Sequence, residues 1–66
     1  MKNKIKDLRE QFNLTQLDLA EKNEVSRQTI ISLEKGKYNP SIFLAYKISK
    51  VFHLPIEEVF IFEEDT

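Results

Sequence analysis

A chain of 66 residues has room for one domain, close to the smallest size at which a single apolar core folds unaided. It contains no cysteine and one histidine, which excludes disulfides, thiolate metal sites, cysteine nucleophiles and a histidine zinc site; no cofactor is expected. The formal net charge of −1 hides a division: residues 1–53 hold all ten Lys and Arg against six acids, whereas residues 54–66 hold five acids and no base.

No apolar run approaches the roughly 20 residues of a membrane span, and no signal-peptide pattern is visible, so a cytoplasmic chain is expected. One Gly and two Pro leave little punctuation, so loops are short and helices dominate. Ile5, Leu8 and Phe12 recur at helical spacing, with Lys4, Lys6 and Arg9 off the stripe; this first helix ends at Asn13-Leu14. Thr15 fits an N-cap, with Asp18 three residues on, for a second helix from Gln16 to about Lys22 that offers Leu19 and Ala20 to the core. Asn23-Glu24-Val25 forms a turn. Ser26 caps a third helix from Arg27 to Lys35, which stops at Gly36, the sole glycine.

Lys37 to Pro40 is a polar loop, and Ser41 caps a fourth helix reaching about Phe52. That helix is apolar on two faces, one with Ile42, Ala45, Ile48, Ser49 and Phe52, the other with Leu44, Ile48 and Val51. A domain this small has few elements to cover both, which points to a second subunit. His53-Leu54 is a joint, and Pro55 fits the first turn of a short fifth helix with Glu57 and Glu58 near its start. Val59 to Phe62 reads as a strand, which must pair with the N-terminal residues, a second subunit, or both. The expected fold is all-α: a single five-helix domain over 1–66, with a short C-terminal β-strand and dimerisation elements at about 42–62.

Two short helices at 15–22 and 26–35 joined by a three-residue turn form a helix-turn-helix unit, whose second helix enters the DNA major groove. On the third helix Ile30 and Leu33 point inward, while Arg27, Gln28, Ile31, Ser32 and Lys35 share the opposite face. Arg27 can pair bidentately with guanine, Gln28 with adenine; Ile31 can touch a thymine methyl and Ser32 can donate or accept. Thr15, Gln16, Thr29, Lys35, Lys37, Tyr38 and Asn39 flank that face with side chains suited to phosphates.

Leu14-Thr15-Gln16, Leu19-Ala20, Val25 to Ile30, Leu33 to Gly36, Asn39-Pro40-Ser41 and Ile56 to Phe60 together resemble the Cro/repressor-type helix-turn-helix family, over nearly the whole chain. The resemblance implies a lambda-repressor-like domain acting as a short transcription regulator. It implies base reading by residues matching Arg27, Gln28 and Ser32, phosphate contact at Gln16, and an ion pair between Arg9 and Glu34. It also implies dimerisation through the fourth and fifth helices and terminal strand, here Leu44, Val51, Leu54, Pro55, Phe60 and Phe62. Two positions depart from the pattern. Glu24 stands where glycine is common, so a left-handed glutamate costs about 1 kcal/mol or the turn differs. Asn23 stands where an apolar residue is common.

The blander readings are that Arg27 and Gln28 are solvated helix residues, that Tyr38 packs the loop, and that the terminal acids only solubilise. Adjacent Glu57 and Glu58 diverge on a helix, and no nucleophile–base pair, phosphate loop or metal set is present, so no catalytic residues are assigned. The expectation is a homodimer on double-stranded DNA, with no membrane and no small-molecule ligand, most simply a repressor on an inverted repeat. The alternative is a protein-interaction or antitoxin-like module that uses the same unit as a scaffold.

Overall fold

The computed structural model describes residues 1–62, which form five helices: α1 Ile5–Gln11, α2 Gln16–Lys22, α3 Arg27–Glu34, α4 Ile42–Val51 and α5 Ile56–Val59. Three of them start on hydroxyl caps. Thr15, Ser26 and Ser41 accept from the backbone N–H groups of Asp18, Thr29 and Leu44 at 3.0, 3.2 and 3.1 Å. At α2 the Asp18 carboxylate also accepts from the Thr15 N–H at 2.9 Å, closing a reciprocal box. The bond from the Thr15 backbone, then that with its hydroxyl, holds the Asp18 carboxyl below the usual range. Pro55 stands at the N-cap of α5 with ψ 159° rather than inside its first turn.

The helix ends share one device. After α1, α2, α3 and α4 the chain places a single residue in the left-handed region: Asn13 (φ 58°), Glu24 (57°), Gly36 (74°) and His53 (57°). Each of these donates its N–H to the carbonyl three residues back, and the next residue donates to the carbonyl five back. All eight bonds measure 2.9–3.2 Å. This is the Schellman ending, which satisfies carbonyls the helix leaves orphaned. Asn and His tolerate this conformation comparatively well, and glycine adopts it freely. Glu24 is the expensive one, so the first of the two alternatives at that position is the one adopted. The residues that follow, Leu14, Val25 and Leu54, fold back against the core.

That core is built from every helix, with Ile5, Leu19, Ile30, Leu33, Ile48 and Val59 fully enclosed. Asn23 is also buried; its amide nitrogen donates to the Leu19 carbonyl at 2.9 Å, while its Oδ1 has no partner among the described residues. From α4, the Lys47 ammonium donates to the Asn23 carbonyl at 3.0 Å and lies 3.6 Å from the Glu24 carboxylate. The second departure from the family pattern is thus a buried polar residue latched from another helix.

The expected strand at 59–62 is not formed as such. Val59 completes α5, and Phe60 makes one antiparallel bridge with Asn3, flanked by Lys4 N–H to Val59 O (2.8 Å) and Ile61 N–H to Lys2 O (2.9 Å). Of the pairings left open, the N-terminal one is used. Asn3 ties the junction together: its Oδ1 accepts from Ile5 N–H at 3.1 Å, and its Nδ2 donates to the Leu33 carbonyl at 2.7 Å, near the end of α3. Among the described residues no helix is long and apolar enough to cross a membrane.

The left-handed positions predict opposite signs for two substitutions. Glu24→Gly removes the strain and loses only an exposed ion pair, so it stabilises by about 1 kcal/mol. Gly36→Ala adds a Cβ 3.3 Å from the Met1 carbonyl oxygen at φ 74° and destabilises by about 1–2 kcal/mol. Urea unfolding midpoints read both.

Candidate nucleic-acid interface

α3 is anchored by its inner side and presents its outer side. Ile30 and Leu33 are fully buried, Arg27 and Gln28 are exposed, and Ile31 and Ser32 are half-buried at the edge of the exposed face. The Ser26 and Thr29 hydroxyls lie 3.0 Å apart, so the start of the helix carries a hydroxyl pair beside Arg27 and Gln28. Ser26, Gln28, Thr29, Ser32 and Tyr38 line one hollow along α3. Lys35 and Lys37 are exposed beyond its end.

Behind α3 lies the pair that joins it to α1. Arg9 Nε donates to Glu34 Oε2 at 2.7 Å and Nη2 to Oε1 at 3.4 Å; Nη1 donates to the Leu14 carbonyl at 2.9 Å. Both side chains are largely shielded, 12% and 7% exposed. The hydrogen bond with Glu34 holds the guanidinium above its ordinary pKa against the opposing effect of burial. Gln16, at the start of α2, donates to Glu34 Oε1 at 3.1 Å. α1, α2 and α3 therefore meet at one carboxylate, a role for Gln16 that its family match did not suggest.

The remaining residues assigned from the sequence fall in different places. Thr15 is spent on the α2 cap but remains exposed. Asn39 lines a separate hollow with Met1, Lys2, Ile61 and Phe62, not the hollow beside Tyr38. Of the residues expected at a dimer contact, Leu44 (8% exposed) and Phe60 (1%) lie in the protomer core. α4 turns Leu44, Ala45, Ile48 and Ser49 inward, and the bridge to Asn3 draws Phe60 under the N-terminal segment. Val51 and Leu54 are half-buried, and Pro55 and Phe62 are exposed. Sequence reasoning passed over Phe43 (79% exposed) and Tyr46, which with Ile42 (69%) form the outward side of α4. Their spacing of i, i+1 and i+4 was the available signal.

An outward, polar helix set on a buried stripe, with a second short helix crossing its start, defines a helix-turn-helix unit of the DNA-binding kind. A helix-turn-helix family model matches residues 5–59. The chain is 62% identical over 65 residues to an HTH-type transcriptional regulator of Methanocaldococcus jannaschii, covering 98% of each. It is 49% identical over 65 residues to the HTH-type transcriptional regulator YgzD of Bacillus subtilis, again covering 98% of each. Its fold matches, over its full length, a transcriptional regulator from Listeria innocua with a TM-score of 0.80 at 20% identity, and spans 65% of that chain. The chain belongs to the helix-turn-helix family of transcriptional regulators.

Removing one partner of the central pair leaves the other charge shielded and unopposed. Glu34→Ala should cost about 3 kcal/mol in urea unfolding, and Arg9→Met with Glu34→Leu should recover much of that loss.

Proposed function

We propose that this chain is a homodimeric repressor that reads a short inverted repeat in double-stranded DNA. Arg27, Gln28, Ile31 and Ser32 contact base edges, and Thr15, Gln16, Thr29, Lys35, Lys37, Tyr38 and Asn39 contact the backbone. One observation carries the reading: the outer side of α3 joins exposed Arg27 and Gln28 to Lys35 and Lys37, while the one acid within α3, Glu34, is held by Arg9. The helix thus offers donors and positive charge without a competing free carboxylate. Repression follows from occupancy alone, since a bound protein excludes polymerase from its site.

The dimer rests on α4 and the C-terminal residues. Ile42, Phe43, Tyr46 and Phe62 are all more than half exposed, and Ile42 and Phe62 border a hollow shared with Pro40, Ala45 and Ile56. An isologous two-fold contact sets such a face against its own copy. Two recognition helices then enter successive major grooves, about 34 Å apart.

Selection from a random duplex library tests this directly. The expected product is an inverted repeat with half-sites one turn apart; a folded protein that enriches nothing at low salt sends the function to protein partners instead. Arg27→Ala should cost roughly 1–3 kcal/mol and relax preference at one base pair. In sedimentation equilibrium Phe43→Asp should raise the dimer dissociation constant by roughly 30-fold or more. An unchanged dimer moves the contact to Val51, Leu54 and Pro55.

A further inference from the structure

The turn between α2 and α3 is held from outside the helix-turn-helix unit. Asn23, its first residue, is 1% exposed, yet its Oδ1 has no partner among the described residues. Glu24, the second, stands at φ 57°, a conformation that a residue with a Cβ rarely adopts. Neither feature is favourable by itself, so the turn has a relaxed alternative in which Glu24 returns to the right-handed region. Lys47 opposes that relaxation. Its ammonium donates to the Asn23 carbonyl at 3.0 Å and lies 3.6 Å from the Glu24 carboxylate. The Glu24 side chain is exposed and its ion pair weak, so the charge-assisted bond to the carbonyl is the stronger tie. A cation there also meets the negative end of α2.

Lys47 belongs to α4, where Tyr46 directly precedes it and Phe43 stands one turn before it. Residues four apart on a helix are surface neighbours, so Lys47 leaves α4 beside the most exposed of its aromatic residues. We propose that Lys47 is a positioning residue that couples the α4 contact between two copies to base reading by α3. This rests on the proposed reading of α3 as the groove helix and of α4 as the contact between copies.

A second copy laid on Phe43 and Tyr46 covers the half-exposed Lys47 side chain and excludes water from its bond with Asn23. The bond is stronger in that drier setting, so the copy favours the held turn over the relaxed one. Ser26, the cap of α3, is two residues beyond Glu24, so a change at Glu24 re-aims Arg27 and Gln28. Coupling is reciprocal: DNA that selects the held turn must in return tighten the contact between copies. The Lys47 ammonium is spent on the turn and releases no counterion from DNA.

The test compares the wild type with K47M, K47R and E24G/K47M. Amide exchange reads the turn through the Val25 N–H, bonded to the Ala20 carbonyl at 3.0 Å. It reads the fold through the Leu8 N–H, bonded to the Lys4 carbonyl at 3.0 Å. In the wild type, Val25 protection should rise with protein concentration through the dimer transition. A duplex with one half-site, too short to seat a second copy, should lower the dimer dissociation constant about five-fold or more. In K47M, Val25 protection should fall while Leu8 protection holds, and both dependences should vanish. K47M should also lower the preference for the selected over random duplex by about 2–30-fold, at an unchanged salt slope. K47R, which can donate to the same carbonyl, should retain the preference and the linkage. E24G/K47M should recover the preference without the linkage, since glycine holds a left-handed turn unaided and keeps the double variant folded where K47M is not. A K47M protein that keeps the wild-type preference, or a linkage that survives in E24G/K47M, overturns the coupling alone. So does a salt slope reduced by about 0.9 in K47M, which makes Lys47 a phosphate contact. A wild type that binds no duplex, or stays monomeric, overturns the proposed function and the coupling with it.

Discussion

The fold depends on the chain's ability to reverse within two or three residues at the end of each long helix. It does so four times by the same means, a left-handed residue followed by one that bonds back into the last turn. The device sets more than direction. Because the second residue returns to the core at Leu14, Val25 and Leu54, each turn also fixes how the next helix leaves. Between α2 and α3 this determines the angle at which α3 leaves. There the protein tolerates a left-handed glutamate and a buried Asn23 oxygen without a partner among the described residues, and adds a latch from Lys47. Two unfavourable features held in place by a third element mark a turn whose geometry matters more than its local stability.

The Glu34 carboxylate does for orientation what the turns do for direction. α1 supplies Arg9, α2 supplies Gln16 and α3 supplies Glu34 itself, so the first three helices are registered at one point. A shielded ion pair is poor evidence of net stability, because desolvation offsets the attraction. Its value here is geometric and electrostatic. It fixes α3 against α1, and it neutralises the one acid within α3.

Much of this was legible in the residues. The three hydroxyl caps and Gly36 announced helix boundaries to within a residue, because side-chain capping is local chemistry. The inward pair Ile30 and Leu33 followed from period alone. Asn13 and His53 were read merely as an end and a joint, since only glycine advertises a left-handed residue by type. The burial of Leu44 and Phe60 within the protomer was not legible for a different reason. On a helix where both sides are apolar, composition cannot say which side the protomer keeps, and the outcome depended on how α5 and the N-terminal bridge pack. The contact of Gln16 with Glu34 spans 18 residues and could not be seen from either local segment.

The overall charge of −1 gives little guide to how this surface meets a polyanion. At physiological ionic strength a phosphate senses charges within about 8 Å. α3 packs on α1 and α2, whereas Glu57 and Glu58 ride on α5, which packs on α4. Acids on that side lower the sum without neutralising Arg27, Lys35 and Lys37. They also oppose non-specific attraction over longer range, where the whole molecule acts as one nearly neutral body. On the proposed reading, a regulator built this way relies on close contacts along α3 more than on diffuse attraction. Such contacts demand a well-fixed helix, which the left-handed turns and the shared carboxylate supply.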